Sequence, residues 1–267
     1  MAAERMLFVD EERPAETPSQ AKEGRVVLFM HGKGGVGTTT TAVNVGVALA
    51  AKGEQVGLLD LSLPHGNAAL MLDLQPPRNL AGLANSSYGV SDDAFAQFLV
   101  RHASGLQVLA APDVPEKAEL VTAECVEQTI HAFRQMVDIL LVDTAYAFSD
   151  PLLAALDLKD LVCLVTTPHL AALRATADTM GVLERLGIPE RRIMLVLNRT
   201  TPSGFDTDQA SAFLQRAIDV VIPYNKDFDA AADNGLPLVT HRPKESSAAA
   251  LRDLASKAAL ALTAAAA

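Results

Sequence analysis

The sequence predicts an α/β chain, a doubly wound and mostly parallel sheet flanked by helices. Three observations predict it. Most strand candidates are continuous apolar runs, such as Ile139-Leu140-Leu141-Val142, which marks strands buried on both faces. Helix-like stretches fall between most of these runs. One run ends in a glycine-rich loop that opens directly into a helix.

In chain order, strands are expected at 25–30, 55–60, 106–110, 138–143, 160–166, 192–198 and 218–222. Helices are expected at 38–51, 91–101, 122–135, 170–186, 206–216, 226–234 and 246–262. Residues 1–24 carry charges together with Pro14, Pro18 and Gly24, and read as a tail or linker. The short apolar run Met6 to Val9 within it could add an edge strand or pack on the body. Residues 25–267 then form one domain without internal repeats, ending in a fraying Ala-rich helix terminus at 264–267. The last helix carries an apolar stripe at Leu251, Leu254, Ala258 and Leu260, read as core packing rather than a membrane contact.

The 22 basic residues face 32 acidic ones, a net charge of −10. That balance argues against non-specific nucleic-acid binding, which depends on Lys and Arg neutralising phosphates. Cys125 and Cys163 sit in apolar surroundings and read as buried thiols of a reducing compartment. No run of 18 apolar residues exists to span a bilayer. The opening Met1-Ala2-Ala3-Glu4-Arg5 soon turns acidic, unlike a signal peptide. The expected location is therefore the cytoplasm, with no direct membrane attachment.

The strongest motif lies between Arg25 and Ala50. The strand Val26-Val27-Leu28-Phe29-Met30 runs into His31-Gly32-Lys33-Gly34-Gly35-Val36-Gly37-Thr38-Thr39-Thr40, and a helix follows. Four glycines in six positions let successive backbone N–H groups turn inward on a phosphate chain. The helix N-terminus adds its partial positive charge. The general pattern G-x-x-x-x-G-K-[ST] is met by Gly32, Gly37 and the metal-ligand hydroxyl of Thr39, but Thr38 stands where the lysine belongs. Local hydrogen bonding is the expected role of His31, beside this loop, and of His65.

Lys33-Gly34-Gly35-Val36-Gly37 resembles the deviant Walker A loop of the ParA/MinD family of dimerising P-loop ATPases. The resemblance covers nearly everything after residue 25. It implies ATP and Mg²⁺ as ligands, with Gly34, Gly35, Val36, Gly37, Thr38, Thr39 and Thr40 around the phosphates. It implies that Lys33 reaches across an ATP-dependent homodimer to the partner's nucleotide. Gly57-Leu58-Leu59-Asp60-Leu61-Ser62 looks like the family's second strand, which normally ends Asp-x-Asp; Asp60 is kept as a catalytic and metal-site carboxylate, and Ser62 replaces the one that positions water. For Asp60 alone, a strand-end carboxylate capping a turn is the alternative. Val137 to Thr144 matches the Walker B strand, whose Asp143 holds Mg²⁺ directly or through water. Val196-Leu197-Asn198-Arg199 resembles the adenine site, and Ile222-Pro223-Tyr224 the strand that closes the pocket.

Three stretches look closer to one branch of that family, the CpaE/TadZ proteins of Tad-type pilus assembly. They are Asp60 to Leu74, Ser104 to Glu116, and Val165 to Ala172. That resemblance implies a positioning or scaffold protein acting with pilus-assembly or polar-landmark proteins, at the cell pole or the inner face of the membrane. With Thr38 and Ser62 at two catalytic positions, the implied activity is a nucleotide-dependent switch with slow or absent hydrolysis. The rival readings are an active ATPase for DNA partition or division-site placement, and a scaffold that binds no nucleotide.

Overall fold

The computed structural model describes residues 23–86 and 92–264. The segment Met6 to Val9 and residues 265–267 lie outside the described residues.

Among the described residues the sheet has eight strands: β1 (Arg25–His31), β2 (Val56–Leu61), β3 (Val100–Arg101), β4 (Gln107–Leu109), β5 (Ile139–Thr144), β6 (Leu161–Thr166), β7 (Ile193–Asn198) and β8 (Val220–Ile222). Their spatial order is β3-β4-β2-β5-β1-β6-β7-β8, and only the β3–β4 pair is antiparallel. The seven expected strands therefore form, in the predicted doubly wound arrangement.

The helices are α1 (Thr38–Ala50), α2 (Leu80–Ala84), α3 (Asp92–Ala96), α4 (Ala123–Arg134), α5 (Asp150–Leu158), α6 (Leu170–Arg185), α7 (Thr207–Leu214), α8 (Asp227–Asp233), α9 (Leu238–His241) and α10 (Ser246–Ala264). Alternate residues of each central strand feed two cores. Val27 and Phe29 of β1 pack with Val43 and Val47 of α1 and with Leu251, Leu254 and Ala258 of α10. Val26, Leu28 and Met30 pack with Val126 and Ile130 of α4, Leu152 of α5 and Leu173 of α6. This two-sided burial is why the strands read as unbroken apolar runs.

Two expectations need correction. The helix expected over 91–101 stops at Ala96, because Val100 and Arg101 pair instead with Val108 and Gln107. A tight turn makes that pairing reachable: Gly105 adopts φ +99°, donates to the His102 carbonyl, and lets His102 donate to that of Leu106. In α10, Leu260 is exposed, while Leu251, Leu254, Ala258 and Leu262 are buried. Among the described residues, no helix is long and apolar enough to cross a membrane.

Candidate nucleotide-binding site

In open α/β sheets, ligands sit beyond the carboxyl ends of the strands, where the winding reverses. Here β1 lies between β5 and β6, and the glycine loop leaves its carboxyl end. A cavity of about 640 Å³ opens there. Its lining includes Gly34 to Thr40, the turn Ser62 to His65, Tyr146 after β5, Asn198 to Thr201 after β7, and Tyr224 to Lys226 after β8.

The loop is shaped by backbone that only glycine adopts easily. Gly37 has φ +85°, and a Cβ there would collide with Asn198 Nδ2. Among the described residues no side chain caps α1, and its first turn holds no acidic residue. The N–H groups of that turn thus remain available to an anion. Asn198 braces the loop from β7 by donating from Nδ2 to the Val36 carbonyl, 2.9 Å away.

At the opposite end, the β2–β5 register sets Asp60 beside Asp143. Thr39 donates to Asp143 Oδ2 at 2.6 Å. Among the described residues, Asp143 Oδ1 is buried with no hydrogen-bond partner. An orphaned carboxylate oxygen next to the loop hydroxyl fits Mg²⁺, which binds one or two protein oxygens and completes its shell with phosphate and water. Burial pushes the Asp143 carboxyl well above the ordinary range, and the neighbouring Asp60 charge adds to that. Burial also raises Asp60 to about 6, against the N–H bonds it accepts from Ala68 and Ser62. Those bonds, 2.9 Å to Oδ2 and 3.1 Å to Oδ1, cap the turn that follows β2. Gly66 is required in this turn, since a Cβ would meet Asp60 Oδ2.

Thr38, at the position of the missing lysine, is 4% exposed. Its hydroxyl pairs with His31 Nδ1 at 2.9 Å. Burial lowers His31 to about 4, so the ring is neutral at pH 7. Ser62 lines the cavity, as do Arg199 and the loop residues Gly34 to Thr40. The Arg199 guanidinium donates to the Phe205 carbonyl at 3.0 Å. Lys33 is exposed outside that lining, with Nζ 3.4 Å from the Gly34 carbonyl. Asp60, Asp143 and Pro223 are also outside the lining, and Tyr224 takes part beside Pro223. Sequence reasoning missed Tyr146, Asn225, Lys226 and Phe228 as wall residues; none belongs to a motif, and only the fold gathers them.

A family model described as ParA, NUBPL iron-transfer P-loop NTPase, matches residues 22–259.

The chain belongs to the ParA/MinD family of P-loop NTPases.

Among relatives in this family, the septum site-determining protein MinD of Thermotoga maritima is 28% identical over 223 residues, 80% of this chain and 81% of that protein. The crystal structure of a ParA family ATPase from Chlorobium tepidum superposes with a TM-score of 0.81 at 26% identity, covering 87% of this chain and 98% of that one. MinD from Pyrococcus horikoshii, solved in complex with Mg-ADP, shares the fold, with a TM-score of 0.76 at 23% identity over 88% of this chain and 96% of that one. Cys125 and Cys163 are both buried, in α4 and β6 respectively.

Proposed function

We propose that this ParA/MinD-family chain is an ATP-binding, dimerising switch with weak or absent hydrolysis, serving as a positioning or scaffold protein of Tad-type pilus assembly. The observation that carries the switch reading is an asymmetry within one site. The phosphate cradle and the Thr39–Asp143 pair are intact, while Thr38 turns to His31 and Ser62 offers no carboxylate. Phosphoryl transfer depends almost entirely on positioning and on charge stabilisation, so losing a cation and a water-orienting acid affects turnover more than binding. The resemblance of the stretches around Asp60, Ser104 and Val165 to CpaE/TadZ proteins supports the pilus assignment.

In this reading Gly34 to Thr40 hold the phosphates, and Asn198 and Arg199 flank the base beside Pro223. Thr39 and Asp143 hold Mg²⁺, with Asp60 keeping the adjoining turn and its charge nearby. Bound Mg²⁺ would neutralise charge on the terminal phosphates. Lys33 is exposed and, among the described residues, bonds its neighbour's carbonyl alone, which leaves its ammonium for a second copy of the chain. An active ATPase of division-site placement is the second reading, favoured by the MinD relatives.

Calorimetry with Mg·ATP, together with phosphate release by the pure protein, separates these readings. Binding in the micromolar range with turnover far below one per second is the expected result. Turnover near one per second, alone or with lipid or DNA added, overturns the switch reading in favour of the active ATPase. Absence of binding at millimolar nucleotide overturns both.

A further inference from the structure

We propose that His31, aligned by Thr38, takes the place of the missing loop lysine as the side-chain donor to the terminal phosphates of a bound nucleoside di- or triphosphate. The inference rests on the nucleotide reading of the site and adds a residue outside its motifs.

The geometry begins at the end of β1. His31 is the last residue of that strand and shares its face with Val27 and Phe29, toward α1. Its side chain therefore lies at the first turn of α1, where the loop closes. Nδ1 is 2.9 Å from Thr38 Oγ1. Nε2 has no protein partner among the described residues. His31 is 8% exposed and belongs to the wall of the cavity, so the surface it retains faces that space. Tyr146, also in the wall, lies beside the ring with centroids 6.3 Å apart.

The chemistry follows from the tautomer. A neutral imidazole has one N–H and one bare nitrogen, and the bond made at one nitrogen decides where the proton resides. When the Thr38 hydroxyl donates to Nδ1, the proton belongs on Nε2, the nitrogen left for the cavity. The loop then offers a neutral, directed N–H where its relatives' motif has a mobile ammonium. A directed donor still binds an anionic oxygen, since hydrogen bonds to charged groups are among the stronger ones. It adds no net charge against the terminal phosphates, which agrees with a site that retains nucleotide and turns it over slowly.

The test compares wild type with His31→Leu, His31→Gln and Thr38→Val, titrating Mg·ATP, Mg·ADP and AMP by calorimetry. His31→Leu should weaken ATP and ADP about 10-fold and leave AMP unchanged, because AMP lacks the phosphates the ring would reach. Thr38→Val should weaken them in the same sense by releasing the ring. His31→Gln, which keeps an N–H near the position of Nε2, should recover most of the loss. The ring nitrogens of His31 in wild-type protein give a readout that a packing role would not move: adding Mg·ADP should shift the Nε2 resonance and preserve the Nε2–H tautomer. This readout decides the matter even where His31→Leu unfolds. Equal ATP affinity in folded His31→Leu, or an unmoved Nε2 resonance, overturns this inference while the nucleotide reading stands. A wild type that binds no nucleotide overturns both.

Discussion

The two ends of the cavity differ in what they retain. At the β7–β8 end, Asn198 is fixed by a bond to the Val36 carbonyl, and Arg199 by a bond to the Phe205 carbonyl. At the β2–β5 end, the Thr39–Asp143 pair proposed to hold Mg²⁺ is present, but the two neighbouring positions depart from the motif. Thr38 is turned to His31, and Ser62 follows Asp60 without a second carboxylate. Binding a nucleotide and cleaving it use overlapping but separable groups, and in the function proposed here this chain keeps the first set more fully than the second.

The sharpest way to break that contrast is to test what lies outside both ends. Lys33 is exposed, and among the described residues its one hydrogen bond is to the Gly34 carbonyl. Lys33→Ala should abolish ATP-dependent dimerisation in analytical ultracentrifugation while the circular dichroism spectrum stays unchanged. A mutant that dimerises as well as wild type removes Lys33 from the cross-dimer role.

The next largest effect concerns repair of the altered end. Each lost group can cost a factor of ~10² in rate, about 3 kcal/mol of barrier. Groups that act as a unit are not additive, so one repair alone should do little. Thr38→Lys combined with Ser62→Asp should raise phosphate release at least ~10²-fold over wild type and exceed both single variants. The position-38 lysine must leave the pocket that Thr38 fills against His31, so the double variant also strips His31 Nδ1 of its partner. A double variant no faster than wild type would mean that the slow step lies elsewhere.

A smaller effect is expected at the intact end. Asn198→Ala removes the donor to the carbonyl of Val36, a loop residue only 3% exposed. A buried acceptor left unpaired costs about 1–3 kcal/mol. Nucleotide affinity should fall about 10-fold or more, since the brace also fixes the loop. Unchanged affinity by calorimetry would show that the loop holds its shape without Asn198.

How much of this could be read in the sequence depended on the range of the deciding interaction. The strands were legible because Val26 to Met30 or Ile139 to Val142 must be apolar on both faces wherever they pair. The glycine loop was legible because its backbone requirement is local. The helices α2, α5 and α9 were not expected, and β3 was expected as helix. These are short pieces whose burial comes from distant partners: Leu80 donates to the Ala110 carbonyl, and Leu152 of α5 packs in the core of α4. In the site, motif spacing indicated Thr39 and Asp143, yet it could not tell which way Thr38 turns. The Asn198 bond spans 162 positions and is invisible to any local pattern.

The smallest expected effect is a pH dependence that isolates His31 at the altered end. Burial lowers its pKa from 6.5 to about 4 in the folded protein. Between those values the unfolded chain binds the proton and the folded chain does not, so folding stability falls as pH drops below 6.5. From pH 7.5 to 5.5 this linkage amounts to about 1.3 kcal/mol, taking one pKa unit as about 1.4 kcal/mol. Asp60 and Asp143 act in the opposite sense. Their raised folded-state values mean that the folded chain keeps protons the unfolded chain releases, which destabilises it as pH climbs above the ordinary carboxylate range. The wild-type profile alone therefore mixes both contributions. The difference between wild type and His31→Gln cancels the carboxylates, because glutamine does not titrate and the pair at β2 and β5 is unchanged. Urea unfolding of both proteins without nucleotide or metal should show wild type losing about 1.3 kcal/mol relative to His31→Gln on going from pH 7.5 to 5.5. Parallel profiles would mean that His31 stays as easily protonated in the folded chain as in water. The neutral donor assigned to the phosphate end would then have to be a cation, and the contrast between the two ends would narrow.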